Sequence, residues 1–217
     1  MTQELIMEKK QAAMEVILKI APVIPVMIVD DVKQAVALAR ALVAGGLPVL
    51  EITLRTSAAM EAMRGIMTEV EGAIVGVGTV FTPDQFKQCA KLGCAFAVSP
   101  GSTGQLLGAA EDYEMPLLPG GVTASEVMAL LGWGYRLQKF FPAEPAGGIA
   151  YLTSLSSPIP QVQFCPTGGI TPISAPNYLK LPNVITIGGS WMLPKAKVMA
   201  GDWAGIEALA RATSQLK

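Results

Sequence analysis

Short apolar runs rich in β-branched residues recur at positions 23–29, 49–54, 74–77, 96–99, 116–118, 137–141, 163–166 and 184–187. Stretches with helical spacing of apolar residues lie between them, most clearly at 32–43 and 84–92. This alternation is the pattern of repeated βα units. Gly45, Gly46 and Gly93 stand where helices should end. Helix starts are marked by Thr82, Pro83, Asp84 and Gln85, a capping box with proline at the first helical position, and by the Ser102/Gln105 and Thr123/Glu126 pairs. Even spacing, and the absence of a GxGxxG after the first run, favour closure into a barrel over an open doubly wound sheet. The expected architecture is a single α/β domain over 1–217, a (β/α)8 TIM barrel with an extra N-terminal helix at 1–20. Chemistry in that fold collects at the C-terminal ends of the strands.

Composition narrows the function. Hydrophobic residues make up 51% of the 217 positions and charged residues 15%, against roughly 25% charged in an average globular protein. No apolar run is long enough to span a bilayer, so the excess should fill a core and a subunit interface. With a net charge of -1 and no Lys/Arg cluster, neither nucleic acid nor a membrane surface is an expected partner. The N-terminal segment lacks the features of a secretory signal, and three cysteines in apolar segments fit reduced thiols in the cytoplasm. Histidine is absent. Acid–base work must then fall to a carboxylate, lysine, tyrosine, cysteine or water, and the commonest metal ligand is missing as well.

Three features could carry chemistry. In the second run, alternation puts Val49, Glu51, Thr53 and Arg55 on one face, so ionised side chains point into the barrel or its mouth. They form either a structural Glu51–Arg55 pair or a working site. In the sixth run Lys139 lies among the bulky apolar residues Leu137, Phe140 and Phe141. Desolvation there would favour the neutral, nucleophilic amine; the alternative is a lysine that reaches the rim or pairs with a carboxylate. The third feature is a pair of glycine-rich turns, Gly168-Gly169 and Gly188-Gly189-Ser190, after the last two strands. They suit a phosphate site built from backbone N–H groups, or are simply sharp turns. Cys89 and Cys94 lie in or just after a helical segment and offer no zinc set. Met60, Met63 and Met67 fit core or interface.

The ordered stretches LEITLR (50–55), GVGTV (76–80), SPG (99–101), KFFPAE (139–144), FCPTGGI (164–170) and GGSW (188–191) resemble the 2-keto-3-deoxy-6-phosphogluconate (KDPG) and 2-keto-4-hydroxyglutarate (KHG) aldolase family over nearly the whole chain. The resemblance implies a metal-independent class I aldolase that uses no cofactor, with Lys139 forming the Schiff base and Glu51 moving protons. It implies that Arg55 and Thr79 hold the pyruvyl carboxylate, that Pro100, Phe141 and Thr167 shape the substrate pocket, and that Gly168, Gly169, Gly188, Gly189 and Ser190 take the phosphate. It also implies a trimer. Val77 and Gly121 depart from the family pattern, and Val77, sharing the parity of Thr79, is expected to narrow the pocket. The apolar segments 58–67 and 130–133, with Met60, Met63, Met67, Leu131 and Trp133, support a different reading, a trimer serving as a building block of a larger assembly, natural or engineered. A third reading is a phosphosugar-binding barrel without lyase activity.

Overall fold

The computed structural model describes residues 2–216. Helix α1 (Gln3–Leu18) comes first, and then β1 (Val23–Met27), α2 (Val32–Ala44), β2 (Val49–Thr53), α3 (Ala59–Glu69), β3 (Ile74–Gly78), α4 (Pro83–Leu92) and β4 (Phe96–Val98). The alternation continues through α5 (Gly104–Glu111), β5 (Leu117–Leu118), α6 (Ala124–Gly132), β6 (Leu137–Phe140), α7 (Gly148–Ser156), β7 (Gln163–Pro166), α8 (Ala175–Leu179), β8 (Ile187–Gly189), α9 (Lys195–Ala200) and α10 (Trp203–Ser214). Among the described residues, no helix is long and apolar enough to cross a membrane.

Parallel ladders run β5-β4-β3-β2-β1-β8, with β6-β7 as a second group. Backbone hydrogen bonds join the groups at both seams. Lys139 N–H donates to Pro119 O at 2.8 Å and Gly121 N–H to Lys139 O at 3.0 Å; across the other seam Phe164 N–H donates to Asn183 O at 2.8 Å and Ile185 N–H to Phe164 O at 3.0 Å. The ring closes, so the open-sheet alternative fails.

Alternation splits the apolar residues into two clusters. Leu50, Ile52, Val75, Phe140 and Phe164 pack outward under the helices, whereas Ile24, Val49, Phe96, Leu118, Leu137 and Cys165 share the interior with Met14 and Leu18 of α1. Helix α1 therefore stoppers the N-terminal end of the barrel. Gln11 fixes it there, its Oε1 accepting from Arg136 N–H (2.9 Å) and Leu137 N–H (3.0 Å) at the foot of β6.

Four expectations need correction. The eighth strand lies at Ile187–Gly189, not 184–187: Val184 and Ile185 meet only β7, and pairing with β1 begins at Ile187. Gly188 and Gly189 are thus strand, not turn. Helix α5 is capped by Thr103, because the Ser102 hydroxyl donates instead to Gly120 O at 3.0 Å. The methionines of α3 form no exposed patch, since Met63 is fully buried and Met60 and Met67 pack partly buried against the core. Finally, Val77 belongs to the outer cluster with Val75. Thr79 has φ +62°, a left-handed value that breaks the alternation on which the pocket-narrowing argument relied. Gly121, although its N–H bonds to Lys139 O, faces away from the mouth, its missing Cβ directed at Leu130 (2.9 Å) and Gln138 (3.3 Å).

Gly76 gives the packing a sharp test. A Cβ there would lie 2.2 Å from the ring of Phe96, which fills the interior with no exposure. Gly76→Ala should destabilise the fold by about 1–3 kcal/mol through overpacking, read from the urea midpoint; an unchanged midpoint would show that the ring has room to move.

Candidate active site

The mouth is built from side chains that alternation turns inward above the apolar layer. Val49 and Leu137 belong to that layer, and two residues further along their strands come Glu51 and Lys139. Lys139 Nζ lies 3.0 Å from Glu51 Oε1, with only 6% and 5% of the two side chains exposed. Space for the carboxylate comes from Gly78 on the neighbouring strand, where a Cβ would fall 2.2 Å from Oε1. Gln138, between the inward Leu137 and Lys139, turns outward, and its Nε2 donates to Val127 O and Tyr135 O.

Glu51 therefore pairs with Lys139 and not with Arg55. Lys139 is one of the lysines that meets a carboxylate, and this is also what makes it chemically useful. The partner can accept the ammonium proton and leave an amine beside a group ready to return it. Phe141 flanks the amine, with its ring centroid 5.5 Å from Nζ. In register with Lys139 on β7 is Cys165.

Arg55 lies at the exposed rim, and its Nε donates to Thr79 Oγ1 at 3.3 Å. The strained backbone of Thr79 turns that hydroxyl to the rim. Pro100, half-buried, sits where the loops after β4 and β5 meet; a Cβ on Gly120 would fall 2.4 Å from its carbonyl. Thr167 is buried, and its Oγ1 has no partner beyond a weak contact with the Cys165 thiol. Gly188 makes room for it, since a Cβ there would lie 2.3 Å from that oxygen.

Gly168 (φ +106°) and Gly169 (φ +82°) follow β7 in conformations that favour glycine, beside exposed Ser190 after β8. Among the described residues, the N–H groups of Gly168, Gly169 and Ser190 donate to no backbone carbonyl, which leaves donors for an anion. Gly189 instead answers to packing, since its missing Cβ would strike the Trp191 ring at 2.1 Å.

Sequence reasoning missed Gly78 and Cys165, although strand parity could have found the cysteine. It also missed the 2.8 Å hydrogen bond from Tyr178 OH to Glu144 Oε1, which ties α8 to the loop after β6. No local signal foretells a contact between such distant segments.

A closed (β/α)8 barrel with a lysine and a glutamate paired inside its mouth defines a class of enzyme that works through an amine nucleophile and an adjacent proton carrier. Comparison with known proteins makes this specific: residues 14–209 match the family model described as KDPG and KHG aldolase, and the chain belongs to that family. It is 47% identical to the KHG/KDPG aldolase of Escherichia coli K12 over 94% of this chain and 96% of that one. It is 49% identical to the 2-dehydro-3-deoxy-phosphogluconate aldolase of Zymomonas mobilis, over 93% and 95%. Among solved structures, the KDPG aldolase of Legionella pneumophila, with pyruvate captured as a covalent carbinolamine intermediate, matches with a TM-score of 0.90 and 44% identity, covering 93% of this chain and 98% of that one.

Burial pushes the Cys165 thiol up from its ordinary value of 9.0 to about 12, with nearby Lys139 pulling the other way. A raised folded value means that this thiol's contribution to stability is complete below pH 9 and fades as pH rises toward 12. The urea midpoint should accordingly fall more steeply above pH 9 in the unaltered protein than in Cys165→Ala. Parallel pH profiles would contradict this.

Proposed function

We propose that the chain is a metal-independent class I aldolase that cleaves KDPG to pyruvate and glyceraldehyde 3-phosphate, as in the Entner–Doudoroff pathway, with 4-hydroxy-2-oxoglutarate as a second substrate giving pyruvate and glyoxylate. The observation that carries this reading is the 3.0 Å approach of Lys139 Nζ to Glu51 Oε1 inside the mouth. Glu51 takes a proton from Lys139, and the amine adds to the C2 ketone. Glu51 returns that proton to the carbinolamine hydroxyl, which leaves as water, and the resulting iminium accepts the electron pair when the C3–C4 bond breaks. Glu51, directly or through a water, removes the C4 hydroxyl proton as the aldehyde leaves, then returns a proton to the enamine carbon. Hydrolysis releases pyruvate and the lysine.

The remaining roles follow the layout of the mouth. Arg55 and Thr79, joined by their hydrogen bond, take the pyruvyl carboxylate; Pro100, Phe141 and Thr167 shape the pocket around the reacting carbons. The N–H donors of Gly168, Gly169 and Ser190 take the phosphate, beside the end of β8 where Gly188 and Gly189 leave space for Thr167 and Trp191.

We place the enzyme in the cytoplasm, in keeping with three free thiols, and as a homotrimer, for which exposed apolar side chains such as Phe81 and Ile28 supply contact surface. The building-block reading loses its main support with the burial of the α3 methionines, leaving Leu131 and Trp133. The binding-only reading gives no use to a buried nucleophile beside a base.

Borohydride reduction with pyruvate should fix a three-carbon adduct on Lys139, located by peptide mass analysis, and Lys139→Arg should abolish both adduct and turnover. Modification elsewhere would refute the assignment. Glu51→Gln keeps a hydrogen bond to Lys139 while removing the base, so kcat should drop by about 10²–10⁴-fold with a smaller change in KM; near-normal kcat would assign proton transfer to another group.

A further inference from the structure

Four sulfur atoms in the helical layer outside the barrel take no part in this chemistry. Met60 and Met63 lie three residues apart on α3, on neighbouring positions of one helix face. Opposite them are Cys89, near the end of α4, and Cys94, just past its left-handed Gly93 cap. Cys89 Sγ is 3.7 Å from Met60 Sδ, and Cys94 Sγ is 3.7 Å from Met63 Sδ. Each thiol thus meets one thioether, and the two contacts lie side by side between α3 and α4. Cys89 and Met63 are fully buried and Cys94 nearly so.

The spacing has a geometric meaning. Tetrahedral coordination with metal–sulfur bonds of about 2.3 Å places ligand sulfurs about 3.7–3.8 Å apart. A set made only of thiols and thioethers, without imidazole or carboxylate, is the soft donor set that selects Cu(I) over harder divalent ions. We propose that Cys89, Cys94, Met60 and Met63 form a binding site for one soft monovalent cation, Cu(I), bracing α3 against α4. Entry is through a surface cavity of about 460 Å³ that Cys94 lines together with Glu114. Binding replaces S–H bonds with Cu–S bonds, releases the thiol protons to solvent and leaves the copper as Cu(I).

The test is an anaerobic titration of the purified protein against the coloured Cu(I)–bicinchoninate complex, with Zn²⁺ and its own indicator in parallel. One Cu(I) per chain should be withdrawn, with a rise in Tm, while Zn²⁺ stays with its indicator. Cys165→Ala should retain copper binding. Cys94→Ser should lose it, and the volume-conserving Met60→Leu/Met63→Leu double variant, checked for folding by circular dichroism, should weaken it at least tenfold. The proposal is overturned if the unaltered protein leaves the copper indicator intact, if Zn²⁺ is withdrawn as readily, or if the folded double variant binds as well as its parent.

Discussion

Everything in the mouth depends on a charged pair being held where water scarcely reaches. Burying an ion pair is no gift to stability, because the desolvation of both groups rivals their attraction, and removing one partner costs about 3–5 kcal/mol by leaving the other unpaired. The barrel tolerates the arrangement because strand parity delivers both residues to one level and Gly78 leaves room for the carboxylate. The layer beneath is apolar and sealed by Met14 and Leu18 of α1. Along its axis, then, the interior runs from a dry, stoppered foot to a reactive mouth.

A second buried lysine shows what makes Lys139 different. Lys10 of α1 is 8% exposed, and burial pulls its pKa below the ordinary range despite the carboxylates of Glu111, Glu114 and Asp112 nearby. Its Nζ donates to Ala110 O at 2.7 Å and Glu111 O at 2.9 Å, at the C-terminal end of α5, where the helix dipole favours a cation. Carbonyls hold an ammonium but cannot take its proton. Glu51 can, so burial alone does not mark a nucleophile; the chemistry of the acceptor does. Local sequence cannot draw this distinction, since both partners lie far along the chain.

What could be read in advance followed from local periodicity. The first seven strand positions, two of the capping boxes and the inward parity of Glu51 and Lys139 come from neighbouring residues, and the structure keeps them. Where long-range packing decides, the reading failed. Gly188 and Gly189 looked like a turn because glycine usually punctuates, yet here close contacts with Thr167 and Trp191 demand small residues inside β8. Val77 was carried inward by an alternation that the left-handed Thr79 breaks. The apolar run of α3 looked like a surface patch because sequence does not reveal how much of a helix face its neighbours cover.

The pair also explains how so sparse a set of groups can suffice. Carbon–carbon cleavage next to a ketone needs a sink for the electron pair and a carrier for protons. In the proposed mechanism, condensation with Lys139 turns a neutral carbonyl into an iminium, which supplies the sink covalently. The proton transfers before and after cleavage all occur within a few bonds of the new nitrogen, so one carboxylate at 3.0 Å from Nζ can serve each in turn. A chain without histidine therefore lacks nothing this reaction requires, and the surrounding residues have only to hold the two ends of the substrate so that the bond to be broken lies over that single acid–base centre.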